Sequence, residues 1–147
     1  MKVLVPVDGS KYSSEGVRVA SHYAASKDAH MHLITVIPSV ADIDLELSAS
    51  DRDRLLESLK KQGEELLAKA SALMKSFGVN HVNTVLATAP SPAQEIVSFA
   101  EKEKIDLIVI GSRGKNATEK FNLGSVTSRV VRHSPCCVYV VKEPCWA

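Results

Sequence analysis

Three glycines and a serine recur at a regular spacing in IVIGSRGKNATEKFNLGSVTSRVV, residues 108–131: Gly111, two residues, Gly114, nine residues, then Gly124-Ser125. They follow an apolar run. Glycine lets a backbone approach an anion closely and turn its N–H groups toward it. A helix opening at Gly124-Ser125 would offer unpaired N–H groups and a dipole that favours negative charge, and Ser125 adds a hydroxyl donor. This is chemistry for holding phosphate. It is not a Walker A loop, which ends in Gly-Lys-Ser/Thr, nor the dinucleotide fingerprint GxGxxG. The residues between Gly114 and Gly124 include Lys115 and Lys120 and read as a flap over the phosphates.

Asp8, in KVLVPVDGS, is the second candidate. It supplies a fixed pair of acceptors suited to ribose hydroxyls or an adenine amine. Each member of the pattern also has a purely structural reading. Gly111 reads as turn punctuation after a strand. Asp8 reads as a cap on the helix that follows. Ser125 reads as an ordinary helix start, and Arg113, Lys115 and Lys120 as solvated charges. The joint pattern carries the weight.

Other chemistry is poorly represented. The five histidines, His22, His30, His32, His81 and His133, are scattered. His30 and His32 share a face at the start of a strand, but surface positions are expected for all five rather than a metal site. Cys136, Cys137 and Cys145 are odd in number and lack a CxxC pair, so reduced thiols are expected rather than a disulfide framework or zinc site.

The elements that must position these residues alternate along the chain. Apolar runs at 2–8, 32–38, 81–88, 106–111 and 137–142 read as strands. Helical periodicity falls at 13–26, 51–77, 92–104 and 125–133. In the longest helix the stripe is Leu55, Leu59, Leu66, Ala70, Leu73 and Phe77, widened by Leu56, Leu67 and Met74. Gly63 within it costs roughly 1 kcal/mol relative to alanine, and Gly78 is a natural stop. Residues 39–50 carry no clear period and read as a loop or lid. Strand 81–88 alternates as an edge strand does. The order βαβαβαβαβ with mostly continuous apolar strands implies a parallel sheet covered on both faces. Ligands of such sheets sit beyond the strands' carboxyl ends, where the winding reverses. If the first and fourth strands are neighbours, Asp8-Gly9-Ser10 and Gly111-Ser112-Arg113-Gly114 face one crevice.

At 147 residues, one domain is expected, with 143–147 as a short tail. A net charge of +1 without a basic block gives no footing for nucleic acid. The apolar runs are too short for a membrane span, and MKVLVPVDGS reads as a buried strand rather than a signal peptide. A cytoplasmic address is the expectation.

With these residues in place, the chain resembles the universal stress proteins, in particular their ATP-binding branch. The resemblance runs from KVLVPVDGS to VYVVK. The family's signature G-x2-G-x9-G-(S/T) stands in full as Gly111, Gly114, Gly124 and Ser125, within DLIVIGSRG and LGSVTSRVVRHSPCCVYVVK. The resemblance implies a three-layer α/β/α fold, Rossmann-like and of the adenine nucleotide alpha hydrolase type. Its five-stranded parallel sheet would have the order 3-2-1-4-5. It implies nucleoside contact by Asp8, flanked by Pro6 and Val7, and adenine recognition by a backbone group at Val36. Ribose and phosphates would lie on Gly111, Gly114, Gly124 and Ser125, beside Arg113 and Val126. It also implies a homodimer through the last strand. One departure is Pro90-Ser91-Pro92, where the family often has Gly-x-Pro.

The function expected is an ATP-binding regulatory module in stress response, with ADP or AMP as other ligands and Mg²⁺ bridging phosphates. A slow ATP-hydrolysing enzyme is the first alternative, with at most weak activity. The sequence offers no P-loop lysine, no acidic pair spaced for metal, and no general base near the signature beyond Asp8. A nucleotide-independent dimeric interaction protein is the second alternative, and the intact signature argues against it.

Overall fold

The computed structural model describes residues 1–39, 47–114 and 123–142. The elements are β1 (Lys2–Pro6), α1 (Lys11–Lys27), β2 (His30–Ile37), α2 (Ala49–Ser76), β3 (Val82–Thr88), α3 (Pro92–Lys102), β4 (Leu107–Gly111), α4 (Ser125–His133) and β5 (Cys137–Val141). All strand pairs are parallel, and the sheet runs β3-β2-β1-β4-β5. The expected order is therefore the observed one. β1 and β4 are neighbours at the point where the winding reverses.

Strand alternation assigns the faces. Val3, Val5, Met31, Leu33 and Val109 point to one side and pack with Val17, Ala20 and Ala24 of α1 and Leu67, Ala70 and Met74 of α2. Leu4, Ile34, Ile108 and Ile110 point to the other and pack with Ala93, Ile96 and Ala100 of α3 and Val130 of α4. Residues that alternate faces yet are apolar on both explain why the strands read as continuous runs.

The helices start and stop by local chemistry. Serine side chains cap three of them: Ser10 accepts from the Ser13 N–H, Ser48 from Asp51 and Ser91 from Gln94. α2 ends at Ser76, and the chain turns away at Gly78, whose φ of +87° suits glycine. The Val79 and Gly78 N–H groups close the last turn on the Met74 and Lys75 carbonyls, at 3.2 and 3.0 Å.

Several boundaries and one stripe differ from the sequence expectation. α2 begins at Ala49, inside the stretch expected to be a loop, and residues 40–46 of that stretch lie outside the described residues. The buried stripe of α2 is Gly63, Leu67, Ala70 and Met74. Leu73 and Phe77, expected inside, are each 37% exposed. The stripe is turned because Gly63 faces the sheet: a Cβ there would stand 2.5 Å from Leu86 Cδ1. The glycine that weakens the helix lets it lie close to β3.

Candidate functional site at the β1–β4 switch

β1 ends in a tight turn. The Val7 N–H donates to the Ile34 carbonyl at 2.8 Å, and the Val7 carbonyl accepts from Thr35 Oγ1 at 2.9 Å. Val7 is buried and pinned to β2, so the chain can turn sharply beyond it. Asp8 Oδ1 accepts the Ser10 N–H at 2.8 Å, closing a side-chain-to-backbone turn. Gly9 between them has φ +85°, a conformation that disfavours a side chain. The helix cap is Ser10, so Asp8 is not the cap of α1. Its carboxylate is exposed at the carboxyl end of the sheet.

The loop after β4 approaches from the neighbouring strand. The Ser112 N–H donates to the Val141 carbonyl at 2.7 Å, carrying the β4–β5 pairing one residue further. The Ser112 carbonyl accepts the Gly124 N–H at 2.8 Å, which pins together the two ends of the segment between Gly114 and Gly124. Thr127 Oγ1, buried in the first turn of α4, donates to the Gly111 carbonyl at 2.7 Å. These three bonds fix the start of α4 beside the end of β4.

The three signature glycines do three different things. At Gly111 a Cβ would lie 2.7 to 2.9 Å from atoms of Tyr12, two of them backbone, so this glycine admits the first turn of α1 against β4. At Gly124 a Cβ would lie 3.2 Å from Arg113 Cα and 3.4 Å from Gly114 N, so it admits close approach of the two loop ends. At Gly114 the nearest atom is Asp8 Oδ2, 3.1 Å away. The two polar clusters therefore meet, as the crevice argument required.

Ser125 is exposed at the first position of α4, Arg113 and Gly114 are half-buried, and Val126 packs into the α3–α4 core. Pro6 is half-buried on β1. Val36 is half-buried near the end of β2, on the same sheet face as α3. α4 is the one described helix whose cap, Gly124, makes no side-chain hydrogen bond. The start of this helix lies against Gly114, which in turn meets Asp8, and a helix N-terminus suits an anion. Lys115 and Lys120 lie outside the described residues, as do residues 143–147.

Sequence reasoning missed Thr127, Thr35 and Tyr12. The one available signal was Thr127 standing three residues after Gly124, a hydroxyl on the inner face of the first helical turn. His32 is a correction. It is buried on β2 with its ring 5.9 Å from Phe99, not on the surface. Among the described residues no group of three or more His, Cys, Asp or Glu is placed to hold a metal. No described helix is long and apolar enough to cross a membrane.

Comparison with known proteins agrees with this fold. A universal stress protein of Methanocaldococcus jannaschii is 38% identical over 143 residues, covering 97% of this chain and 82% of the relative. The solved universal stress protein UspA of Lactobacillus plantarum superposes with a TM-score of 0.83 at 26% identity, over 96% of this chain and 97% of that one. A universal stress family protein of Arabidopsis thaliana, solved with AMP bound, has the same fold at 22% identity and a TM-score of 0.66, over 99% of this chain and 93% of that one. One from Archaeoglobus fulgidus, solved with dAMP, matches at 22% identity and a TM-score of 0.69, over 97% of this chain and 98% of that one. The model of the universal stress protein family matches residues 1–142, and the chain belongs to that family.

Proposed function

We propose that this protein binds an adenine nucleotide, ATP among them, in the crevice between Asp8 and the Gly111–Ser125 signature. Asp8 would take the ribose hydroxyls or the adenine amine, with Pro6, Val7 and the Val36 backbone lining the nucleoside. The phosphates would lie on the N–H groups of Gly114, Ser125 and Val126, with Arg113 beside them. The observation that carries this reading is the meeting of Asp8 Oδ2 with Gly114 beside a helix start left without a side-chain cap. Relatives solved with AMP and dAMP support an adenine ligand. Mg²⁺ would be held chiefly by phosphate oxygens and water.

The working unit in this reading is a cytoplasmic homodimer joined through β5, the outer strand of the sheet, where Tyr139 is 37% exposed. Nucleotide occupancy would bias its conformation or assembly in a stress response, which makes it a binding module more than a catalyst. Mass spectrometry of nucleotide released on denaturing freshly purified protein is the test. Near-stoichiometric ATP, ADP or AMP is expected. Protein that carries none, and takes up none on incubation with any of the three, would refute the reading.

A further inference from the structure

Two histidines that the nucleotide site does not use stand side by side at the opposite end of the sheet. His30 opens β2, and His81 immediately precedes β3. The pairing of Met31 with Val82 sets His30 level with His81 across the two strands. Their backbones are fixed: the His30 N–H donates to the Met1 carbonyl and the Met31 N–H to the His81 carbonyl, both at 2.9 Å. Both residues are exposed. Their rings lie with centroids 4.8 Å apart and tilted by 31°, close to the spacing of neighbouring strands. α3 covers His32, two residues further along the same face, through Phe99, and leaves His30 and His81 open.

We infer that His30 and His81 form a two-point chelate for a borderline divalent cation such as Ni²⁺, Zn²⁺ or Cu²⁺. Imidazole is a preferred ligand of these ions. Metal–nitrogen bonds of about 2.0–2.1 Å require the two donor nitrogens to converge on one point. Small side-chain rotations of two rings already in contact achieve this, because the strands hold the Cα atoms at fixed separation. Among the described residues no further His, Cys, Asp or Glu completes a cage, so water fills the remaining positions. Charged groups close by include the amino terminus of Met1, Lys2, in register with His30 and donating from Nζ to the Glu103 carbonyl at 3.1 Å, and Asp106, whose carboxylate accepts the Lys2 N–H at 2.8 Å. The lysine charge opposes the cation, which keeps the chelate labile. Binding requires neutral imidazoles, since a protonated ring nitrogen has no lone pair to give. A bound ion would tie the outer strand β3 to β2 and stabilise the folded chain by mass action.

The test is calorimetric titration of the intact chain with NiCl₂, its thiols alkylated, at a pH above the imidazole range. Wild type is compared with His30→Asn, His81→Asn and the double variant, each checked for folding by circular dichroism. A chelate predicts that either single change weakens nickel binding by at least about tenfold, and that the double variant loses little more. The nickel-induced rise in Tm should vanish in all three variants. Wild type binding no more tightly than the double variant would overturn the inference, as would single variants that keep wild-type affinity.

Discussion

Asp8 Oδ2 stands 3.1 Å from the point a Cβ on Gly114 would occupy, so the ends of β1 and β4 share one small space. The other oxygen of that carboxylate is committed to the Ser10 N–H. Asp8→Asn separates the two roles. An asparagine oxygen can still accept from Ser10, so the turn survives and stability should change by no more than about 0.5 kcal/mol. The free acceptor facing the crevice becomes ambiguous and uncharged. Nucleotide affinity should fall by at least about tenfold, equivalent to 1.4 kcal/mol. Calorimetry beside urea denaturation measures both quantities.

Gly111→Ala should behave differently from changes at the other signature glycines. Its methyl group would press on the Tyr12 backbone, which cannot step aside as a side-chain tip can. Overpacking of this kind costs about 1–3 kcal/mol. The loss should appear as a lower urea midpoint in the absence of any nucleotide.

Thr127→Val keeps the shape of a buried side chain and removes one hydrogen bond. The Gly111 carbonyl then loses the hydroxyl that donates to it. A destabilisation of about 1–2 kcal/mol is expected by chemical denaturation. Thr127→Ser, which retains the hydroxyl, should recover part of it.

Much of this arrangement was legible in the sequence because it rests on local signals. Continuous apolar runs gave the strands, and turn chemistry gave their ends. The spacing of Gly111, Gly114, Gly124 and Ser125 marked one half of the crevice, and Asp8 after an apolar run marked the other. What was not legible depends on contacts between distant elements. Gly63 looked like a cost within a helix, and only the proximity of Leu86 explains it. The stripe of α2 was misplaced for the same reason, since helical spacing allows several faces and the sheet selects one. Gly111 and Gly114 are indistinguishable as letters, yet one meets the Tyr12 backbone and the other a carboxylate. His32 on a strand start looked exposed because nothing local announces that Phe99 will cover it.

His32 gives the fold an acid-sensitive point. Burial lowers its pKa below the ordinary histidine value. Lys2 and His30 add to the effect, and Glu103 opposes it. The unfolded chain therefore binds more protons than the folded one in acid. Stability is fully present above about pH 6.5 and is lost as pH falls below that value toward the folded-state pKa. Tm measured from about pH 7.5 down to about pH 5 should decline, and His32→Leu should flatten the part of that decline due to this group.

Titration of nucleotide-free protein with ATP and AMP, alongside Gly114→Val, tests the central claim most directly. A Cβ at Gly114 would meet the Asp8 carboxylate and no other atom of the described residues within 4 Å, so valine should displace that group and fill the crevice while the fold stays intact. The account predicts saturable, near one-to-one binding to the wild type and a loss of at least about a hundredfold, roughly 2.7 kcal/mol, in the variant with Tm little changed. Equal affinity in the two proteins, or no binding to the wild type, would contradict it.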